Sequence, residues 1–583
     1  EGVDAATVAL WRECAAVEMP RAVVVSRLDH ARADVAGEIR ACREAFGEGV
    51  LPLYLPPSDG SPGLVGLVTQ RYFDYTSGHP PVVRTVGVAD VVRMTEARNE
   101  LIEGVIAESE DETLMERYLS GELVPEETLI TDLETAVARS RFYPVIPACA
   151  LTGVGTAEIL DGIARACPSP LEHTPPEVTA VDGGPRPRLT TDPGGPLAAE
   201  VFRTSADSYV GRVSLVRMFS GTLRPERAVH VCGHGLAERG HDDHDTDERV
   251  AHVYSPLGAT LREVPHCVAG DVCAVTRLSS AETGDTLSAP DDPLLIRTWE
   301  MPEPLLPVAV TARSRSDEDA LARNLSRLVA GDPTLRLERN AETGQLVLWC
   351  MGEAHAEVVL ARLRAGGADV TTEDVRISLR STFAAQATGH GRHVKQSGGH
   401  GQYAVCDIEV EPLERGAGVE FADRVVGGAV PHQFIPSVEK GVRAQLARGI
   451  GDEHPVVDVR VTLVDGKAHS VDSSDAAFQT AGALALKDAA ATAGMVLLEP
   501  LDSVTIRVPD EYLGAVLGDL SSRRGRVLGT ESATGGTSVV RAEVPSGELL
   551  RYAIDLRSLT SGTGEFTRDH ARYEPAPHRQ AAG

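Results

Sequence analysis

Two stretches of this 583-residue chain, 306–373 and 503–569, share an order of elements without sharing sequence. The first runs from the alternating LPVAVTA (306–312) through a helix-spaced DEDALARNLSRLV (317–329) to TLRLERN, a turn at AETG, QLVLWC, a second helix EAHAEVVLARLR and a closing ADVTTE. The second runs through SVTIRVP (503–509), EYLGAVLGDLSSR, RVLGTES, TSVVRAEVP, GELLRYAIDLRSL and GEFTRD. Strand, helix, strand, strand, helix, strand is the order of the ferredoxin-like split unit, so two such units are expected. Between them, residues 376–495 form a third, α+β segment.

A chain this long is several times the size of one cooperative core, so four to five domains are expected. RAVVVS (21–26) is a continuous apolar run, the mark of a strand buried on both faces of a parallel sheet. Helical spacing over 6–19 and 31–46 flanks it, and YPVIPACA (143–150), followed by a helix over 155–167, supplies a second such strand. Residues 49–140 interrupt this α/β pattern as an inserted subdomain with an acidic helix, EARNELIEGVIAESEDETLMERYL. The Pro- and Gly-rich 168–196 is a linker by composition. From 197 to about 290, short alternating runs such as AAEVFRT and GDVCAVTRL predict an all-β barrel.

No run approaches the ~18–20 apolar residues that span a bilayer, and no charged start followed by an apolar h-region suggests secretion, so a soluble cytoplasmic protein without membrane partners is expected. Nine scattered Cys without a CxxC pair read as reduced thiols.

The net charge of −29 argues against a surface coated in nucleic acid. One stretch departs from that background: GHGRHVKQSGGHGQYAVC (389–406) holds one of only four lysines in the chain. Over 389–403 it carries Arg392, Lys395 and three His with no Asp or Glu. Glycines let backbone N–H groups approach phosphate directly, so Gly398, Gly399 and Gly401 beside Lys395, Gln396, Ser397, His400 and Gln402 form a candidate RNA-facing loop. Tyr403 is assigned to the start of the next strand rather than to stacking on a base.

HVKQSGGHGQY (393–403), VVGGAVPHQFIPSVEKGV (425–442) and PVVDVRVTLVDGKAHSVDSSDAAFQTAGALALKDA (455–489) resemble the fourth domain of translation elongation factor G. DLSSRRGRVLG (519–529) with YAIDLRSLTSGTGEF (552–566) is similar to its fifth domain, and DPTLRLERNAETGQLVLWCMGEAH (332–355) to its third. Residues 1–165 resemble the second half of the family's GTPase domain. The resemblance implies a multidomain α/β and α+β fold. It comprises a partial P-loop GTPase domain over 1–165 with the insertion at about 49–140, a β-barrel over 166–300 and a ferredoxin-like domain over 303–375. An α+β RNA-tip domain over 376–495 and a ferredoxin-like C-terminal domain with a tail over 496–583 complete it.

A phosphate loop needs Gly-x-x-x-x-Gly-Lys-Ser/Thr, because the Lys must reach the phosphates and the hydroxyl must reach Mg²⁺. No lysine precedes Lys395, and Gly466-Lys467 is followed by Ala468. The chain is therefore expected to be N-terminally incomplete, with Mg²⁺ and the catalytic residues belonging to the missing segment. What the resemblance leaves here is guanine recognition by Ser26, Arg27 and Asp29 in SRLD, where the family has Asn-Lys-x-Asp, and by Cys149-Ala150, where it has Ser-Ala. Asp29 would take the donors of the guanine edge, Arg27 would cover the ring, and Ser26 loses the bracing amide. Taken alone, SRLD reads as an ordinary αβ-loop whose Asp caps a helix, and it is the surrounding resemblance that points to guanine.

In the family the fourth domain's end enters the ribosomal decoding site beside tRNA and mRNA, and His469 matches a histidine used there. The resemblance thus implies GTP as cofactor, GTP hydrolysis by the full-length protein, and the ribosome as partner through ribosomal RNA and the tRNA–mRNA pair. It implies tRNA–mRNA translocation or, with a ribosome recycling factor, ribosome disassembly, by a monomer. The altered SRLD and Cys-Ala motifs also permit a non-catalytic or weakly catalytic ribosome-binding paralogue, and a ribosomal-protection factor shares the scaffold. Two further features stand apart. Cys232, His234, His241 and His244 cluster in sequence, but their spacing matches no common zinc site and a solvated hairpin is expected. Gly514 and Gly518 on one helix permit close packing against a sheet or against ribosomal RNA.

Overall fold

The computed structural model describes residues 2–577 apart from 110, 112, 208–210, 238–240, 259, 298–300, 302, 398–399, 452–453 and 534–535. It divides into two compact units, Glu1–Gly235 with Asp242–Trp299, and Leu236–His241 with Glu300–Gly583. Among the described residues no helix is long and apolar enough to cross a membrane.

The first unit begins with a three-stranded parallel sheet. Strand β1 (Val23–Val25), β2 (Val50–Pro52) and β3 (Tyr143–Pro147) lie in the order β1-β3-β2, with Val23 opposite Val145 and Val50 opposite Tyr143. The inserted subdomain therefore starts later than residue 49, because Val50–Pro52 belongs to the parallel sheet. The insertion itself is a four-stranded antiparallel sheet (residues 54–85) with helices Val88–Ile106, Leu114–Leu119 and Glu126–Ala138, so the predicted acidic helix is two helices. Leu64, Leu67, Leu101, Val105, Leu129 and Phe142 close its core.

The helix after β1 spans Val35–Phe46 and not 31–46, because the side chain of Asp34 accepts the Gly37 N–H and sets the start.

An eight-stranded antiparallel sheet follows, including β4 (Ala228–Gly233) and β5 (His244–Arg249). Val201, Met218, Val229, Val231, Val253, Val275 and Leu287, from strands all along the sheet, meet in one core. A sheet whose strands share one core must curl, as the barrel expectation requires. The stretch 168–196 is more than a linker: Val178–Ala180 pairs with Leu294–Ile296, and Val178 and Leu189 bury with Leu294 and Ile296. Burial of a few apolar side chains outweighs a Pro- and Gly-rich composition here.

In the second unit both expected ferredoxin-like domains form. The first has helices Arg315–Gly331 and Glu353–Ala365 and the sheet order 336–339, 346–350, 306–312, 370–373. Trp349 is sandwiched between the guanidinium groups of Arg336 and Arg568, each 4.5 Å from its ring centre, and donates to Glu338 Oε2 at 2.8 Å.

Between the two ferredoxin-like units lies a sheet built on the hairpin β6 (Ala387–Ser397) and β7 (His400–Pro412). Strand β8 (Val419–Asp423), helix α1 (Ile435–Arg448), strand β9 (Val459–Lys467) and helix α2 (Asp475–Ala493) complete it, in the sheet order β6-β7-β9-β8. Helix α2 is alanine-rich, and its Ala477, Ala481, Ala485 and Ala489 are fully buried. A Cβ at Gly389 would stand 2.0 Å from the Ala485 carbonyl, and one at Gly391 1.9 Å from that of Ala481. These two glycines of the 389–406 stretch exist to let helix α2 lie on β6.

Strand β10 (Met495–Pro509) then runs unbroken from this domain into the second ferredoxin-like unit. Met495–Leu498 pairs with Arg380–Phe383, and the rest pairs with Thr537–Pro545 and Glu565–Pro575. The division expected at 495/496 thus falls on a continuous strand, which transmits displacement stiffly.

Candidate functional sites

Two places collect the residues singled out in sequence. At the first, the hairpin register sets Lys395 opposite Gln402, Gln396 opposite Gly401 and Ser397 opposite His400. Gly398 and Gly399 lie outside the described residues, and only the backbone of Gln396, Ser397 and His400 is described. Arg392 and Lys395 are exposed, and His393 Nε2 lies 2.7 Å from Gln402 Oε1 across the hairpin.

The second element of this end is the turn from β9 into α2, where Ser474 caps the helix by accepting the Ala477 N–H. His469 sits in that turn, half-exposed, with Nδ1 3.0 Å from Asp472 Oδ2. Asp472 Oδ1 accepts the Gly401 N–H at 3.1 Å and its carbonyl accepts the Tyr403 N–H at 2.8 Å. Ser473 Oγ donates to the Tyr403 carbonyl at 2.7 Å and accepts the His469 N–H at 2.8 Å. Tyr403 lies in strand β7, as expected, yet its ring also stands 6.0 Å from that of His469.

Asp472 is therefore the hub that ties the hairpin to the His469 turn, and sequence reasoning missed it. The signal was hidden because Asp472 lies 71 residues from its partner Gly401. The same correction applies to charge and to glycine. The stretch is free of acids only along the chain: His390 Nδ1 lies 2.6 Å from Asp407, and the His390 N–H goes to Asp488. The Gly401 N–H is already spent on Asp472, so it is not a free phosphate donor.

The second place is the pair of loops at the carboxyl ends of β1 and β3, where ligands bind in parallel sheets. Ser26, Arg27 and Asp29 are exposed, and Arg27 holds the left-handed conformation at φ 63°. Asp34 takes the helix-capping role, so Asp29 is not that cap. Its Oδ1 instead receives the buried Cys149 thiol at 3.1 Å, which, with the Asp29 N–H, holds the Asp29 carboxyl below its usual range. The Cys149 N–H is bound to the Val154 carbonyl at 2.8 Å, whereas the Ala150 N–H meets no acceptor among the described residues. The two loops thus present a carboxylate kept ionised and one free backbone donor, complementary to the donor edge and the carbonyl oxygen of a guanine.

Replacing Cys149 by Ala removes the thiol hydrogen bond that does most to lower the Asp29 pKa. The Asp29 carboxyl is expected to titrate higher in carbon-detected NMR, while Cys149→Ser keeps it low. An unmoved titration in the Ala variant would show that the thiol is idle.

In the barrel, His244 places Nε2 2.9 Å from Asp285, a contact outside the set of Cys232, His234, His241 and His244 that cluster in sequence. In the C-terminal unit, Arg523 spans Asp519 and Asp555 at 2.8 Å each and packs on the Tyr552 ring, so it locks its two helices together. A Cβ at Gly514 or Gly518 would meet nothing within 4 Å among the described residues, which rules against intramolecular packing as their purpose.

A curled antiparallel sheet followed by two ferredoxin-like units around a hairpin-tipped α+β domain is the module series of a translational factor. Family models match in the same series: "Elongation factor G domain 2" over 196–289, "Elongation Factor G, domain III" over 301–374, "Elongation factor G, domain IV" over 375–494 and "Elongation factor G C-terminus" over 496–582. An "Elongation factor G-like protein" of Mycobacterium tuberculosis, in strains CDC 1551 / Oshkosh and ATCC 25618 / H37Rv, is 59% identical over 589 residues, spanning 100% of this chain and 82% of that protein. A crystal structure of a Thermus thermophilus protein aligns at 33% identity with a TM-score of 0.79, covering 99% of this chain and 82% of that one. The chain belongs to the elongation factor G family, a family of translational GTPases.

Proposed function

We propose that the protein binds the ribosome and uses GTP to promote tRNA–mRNA translocation or ribosome disassembly, the latter with a recycling factor, acting as a cytoplasmic monomer. The observation that carries the reading is the braced end formed by the β6–β7 hairpin and the β9–α2 turn. There Lys395 and His469 stand exposed while Asp472 and Ser473 fix the backbone beneath them. A cation and an imidazole on a pre-ordered support suit contact with phosphates and 2′-hydroxyls, since ordering has already been done before binding. The acidic background elsewhere steers this end, rather than the whole surface, towards RNA.

GTP supplies the hydrolysable phosphate, and Asp29, Arg27, Cys149 and Ala150 are the residues that would hold its base. Mg²⁺ belongs with the phosphates, and none of these four residues is assigned to it.

Lys395→Ala and His469→Ala are each expected to slow tRNA–mRNA movement about threefold, roughly 0.6 kcal/mol of barrier, without changing GTP affinity. Stopped-flow translocation and ribosome-splitting assays with the full-length protein read this. Rates unchanged in both variants and both assays would refute the assignment. A second reading, a ribosome binder without coupled hydrolysis, is favoured by Ser26, whose hydroxyl replaces the bracing amide. It predicts equal or undetectable binding of GTP and ATP.

A further inference from the structure

On strands β4 and β5, His230 pairs with Asp247 and Cys232 with Asp245. Val229 and Val231 fill the barrel core, so strand alternation sends His230 and Cys232 to the opposite face of the sheet. One donor atom each from His230, Cys232 and Asp245 lies within 4.8 Å of the others. His234, two residues beyond Cys232, places Nε2 2.8 Å from Asp245 Oδ2.

The orientation of the two imidazoles is informative. His230 presents Nε2 to Asp245 at 3.3 Å while its Nδ1 is held by Asp247 at 2.8 Å. His234 likewise turns Nε2 towards Asp245, while its Nδ1 stands 4.0 Å from Asp243, beyond hydrogen-bond reach. A carboxylate on Nδ1 is the usual outer partner of a metal-bound histidine, and Asp247 would hold the His230 proton at Nδ1 once a cation took the place of the Asp245 hydrogen bond at Nε2. A surface hairpin has no need to orient two histidines this way. Cys232 is fully buried, so its sulfur is shielded from bulk oxidants and aimed into the cluster.

We propose that His230, Cys232, His234 and Asp245 form a closed zinc-binding site on the outer face of the barrel sheet. One sulfur, two imidazole nitrogens and one carboxylate oxygen make a four-coordinate donor set for Zn²⁺. Bonds of ~2.0–2.3 Å in a tetrahedron put ligand atoms roughly 3.3–3.8 Å apart, so the widest separations, up to 4.8 Å, must close by about 1 Å while His234 Nε2 and Asp245 Oδ2 move apart from 2.8 Å. Asp245, the present hydrogen-bond hub, would exchange those bonds for the metal. Coordination takes sulfur as thiolate and each imidazole through an unprotonated Nε2, so the Cys232 proton and any proton held at either Nε2 and not passed to its Nδ1 leave to solvent on binding. The site pins β4 to β5 and the start of the loop between them, which makes it structural rather than catalytic.

The test titrates chelator-stripped full chain with Zn²⁺ against a chromophoric competitor, and with Co²⁺ as a spectroscopic probe. One equivalent of Zn²⁺ should bind, and Co²⁺ should give tetrahedral visible bands together with a thiolate charge-transfer band. Cys232→Ser should abolish that band. His234→Ala should weaken Zn²⁺ at least ~30-fold, and Asp247→Asn about 10-fold through its hold on His230, with the far-UV CD of both variants unchanged. No stoichiometric binding, an octahedral Co²⁺ spectrum, or Zn²⁺ affinity unchanged in His234→Ala would each overturn the proposal.

Discussion

Gly391→Ala is expected to destabilise the tip domain by about 3 kcal/mol, at the upper end of ordinary overpacking, and Gly391→Val to leave it unfolded. The methyl group would stand 1.9 Å from the Ala481 carbonyl and 2.5 Å from the Ala485 nitrogen, both backbone atoms of α2. A flexible side chain could rotate aside; a helix backbone can yield only by lifting away from the sheet. That movement would open the layer formed by Ala404, Cys406, Phe478 and Leu486. Neighbouring Gly389 meets the same helix one turn on, so the two substitutions share a strained element and should not add independently. Urea unfolding followed by amide exchange in α2 reads the effect. Gly518→Ala is the control, because its methyl group meets nothing within 4 Å, and it should stabilise its helix by up to ~1 kcal/mol. Equal stability of Gly391→Ala and the parent chain would sink the close-packing argument.

Asp472→Ala should slow tRNA–mRNA movement about tenfold, some 1.4 kcal/mol, more than loss of either Lys395 or His469. It removes the acceptor of the Gly401 N–H and the partner of His469 in one step, so both halves of the braced end loosen together. Its carbonyl bond to Tyr403 survives, and the domain should stay folded. Asp472→Asn keeps an oxygen for Gly401 and should recover a substantial part of the rate. GTP affinity should not change in either variant. Since Asp472 positions groups rather than touching RNA, the rescue by Asn separates bracing from direct contact; an Asn variant as slow as the Ala variant, or an Ala variant within twofold of the parent, would remove the bracing role.

How much of this was legible along the chain differs by element. The two ferredoxin-like units were readable because each strand and helix is a local pattern, with LPVAVTA and SVTIRVP alternating and DEDALARNLSRLV spaced as a helix. Misjudged boundaries share a cause in contacts between distant segments. Val50–Pro52 looked like part of the insertion because nothing local tells a strand that its neighbour is β3, some ninety residues on. Val178 and Leu189 looked like linker until Leu294 and Ile296 covered them. The 389–406 stretch illustrates both sides. Its cations were visible at once, whereas the role of its glycines depended on where helix α2 lies.

By itself the sequence determined the series of domains, the family to which they belong and the residue types at the tip and at the loops after β1 and β3. Those follow from short-range periodicity and from motifs that stay within a few tens of residues. Only the tertiary structure decided which groups meet: Asp472 with Gly401 and His469, Cys149 with Asp29, and Asp245 with His230 and His234. Hydrogen bonds act over about 3 Å in space, with no dependence on separation along the chain. The acids that hold these sites were therefore invisible until folding brought them beside the residues they orient.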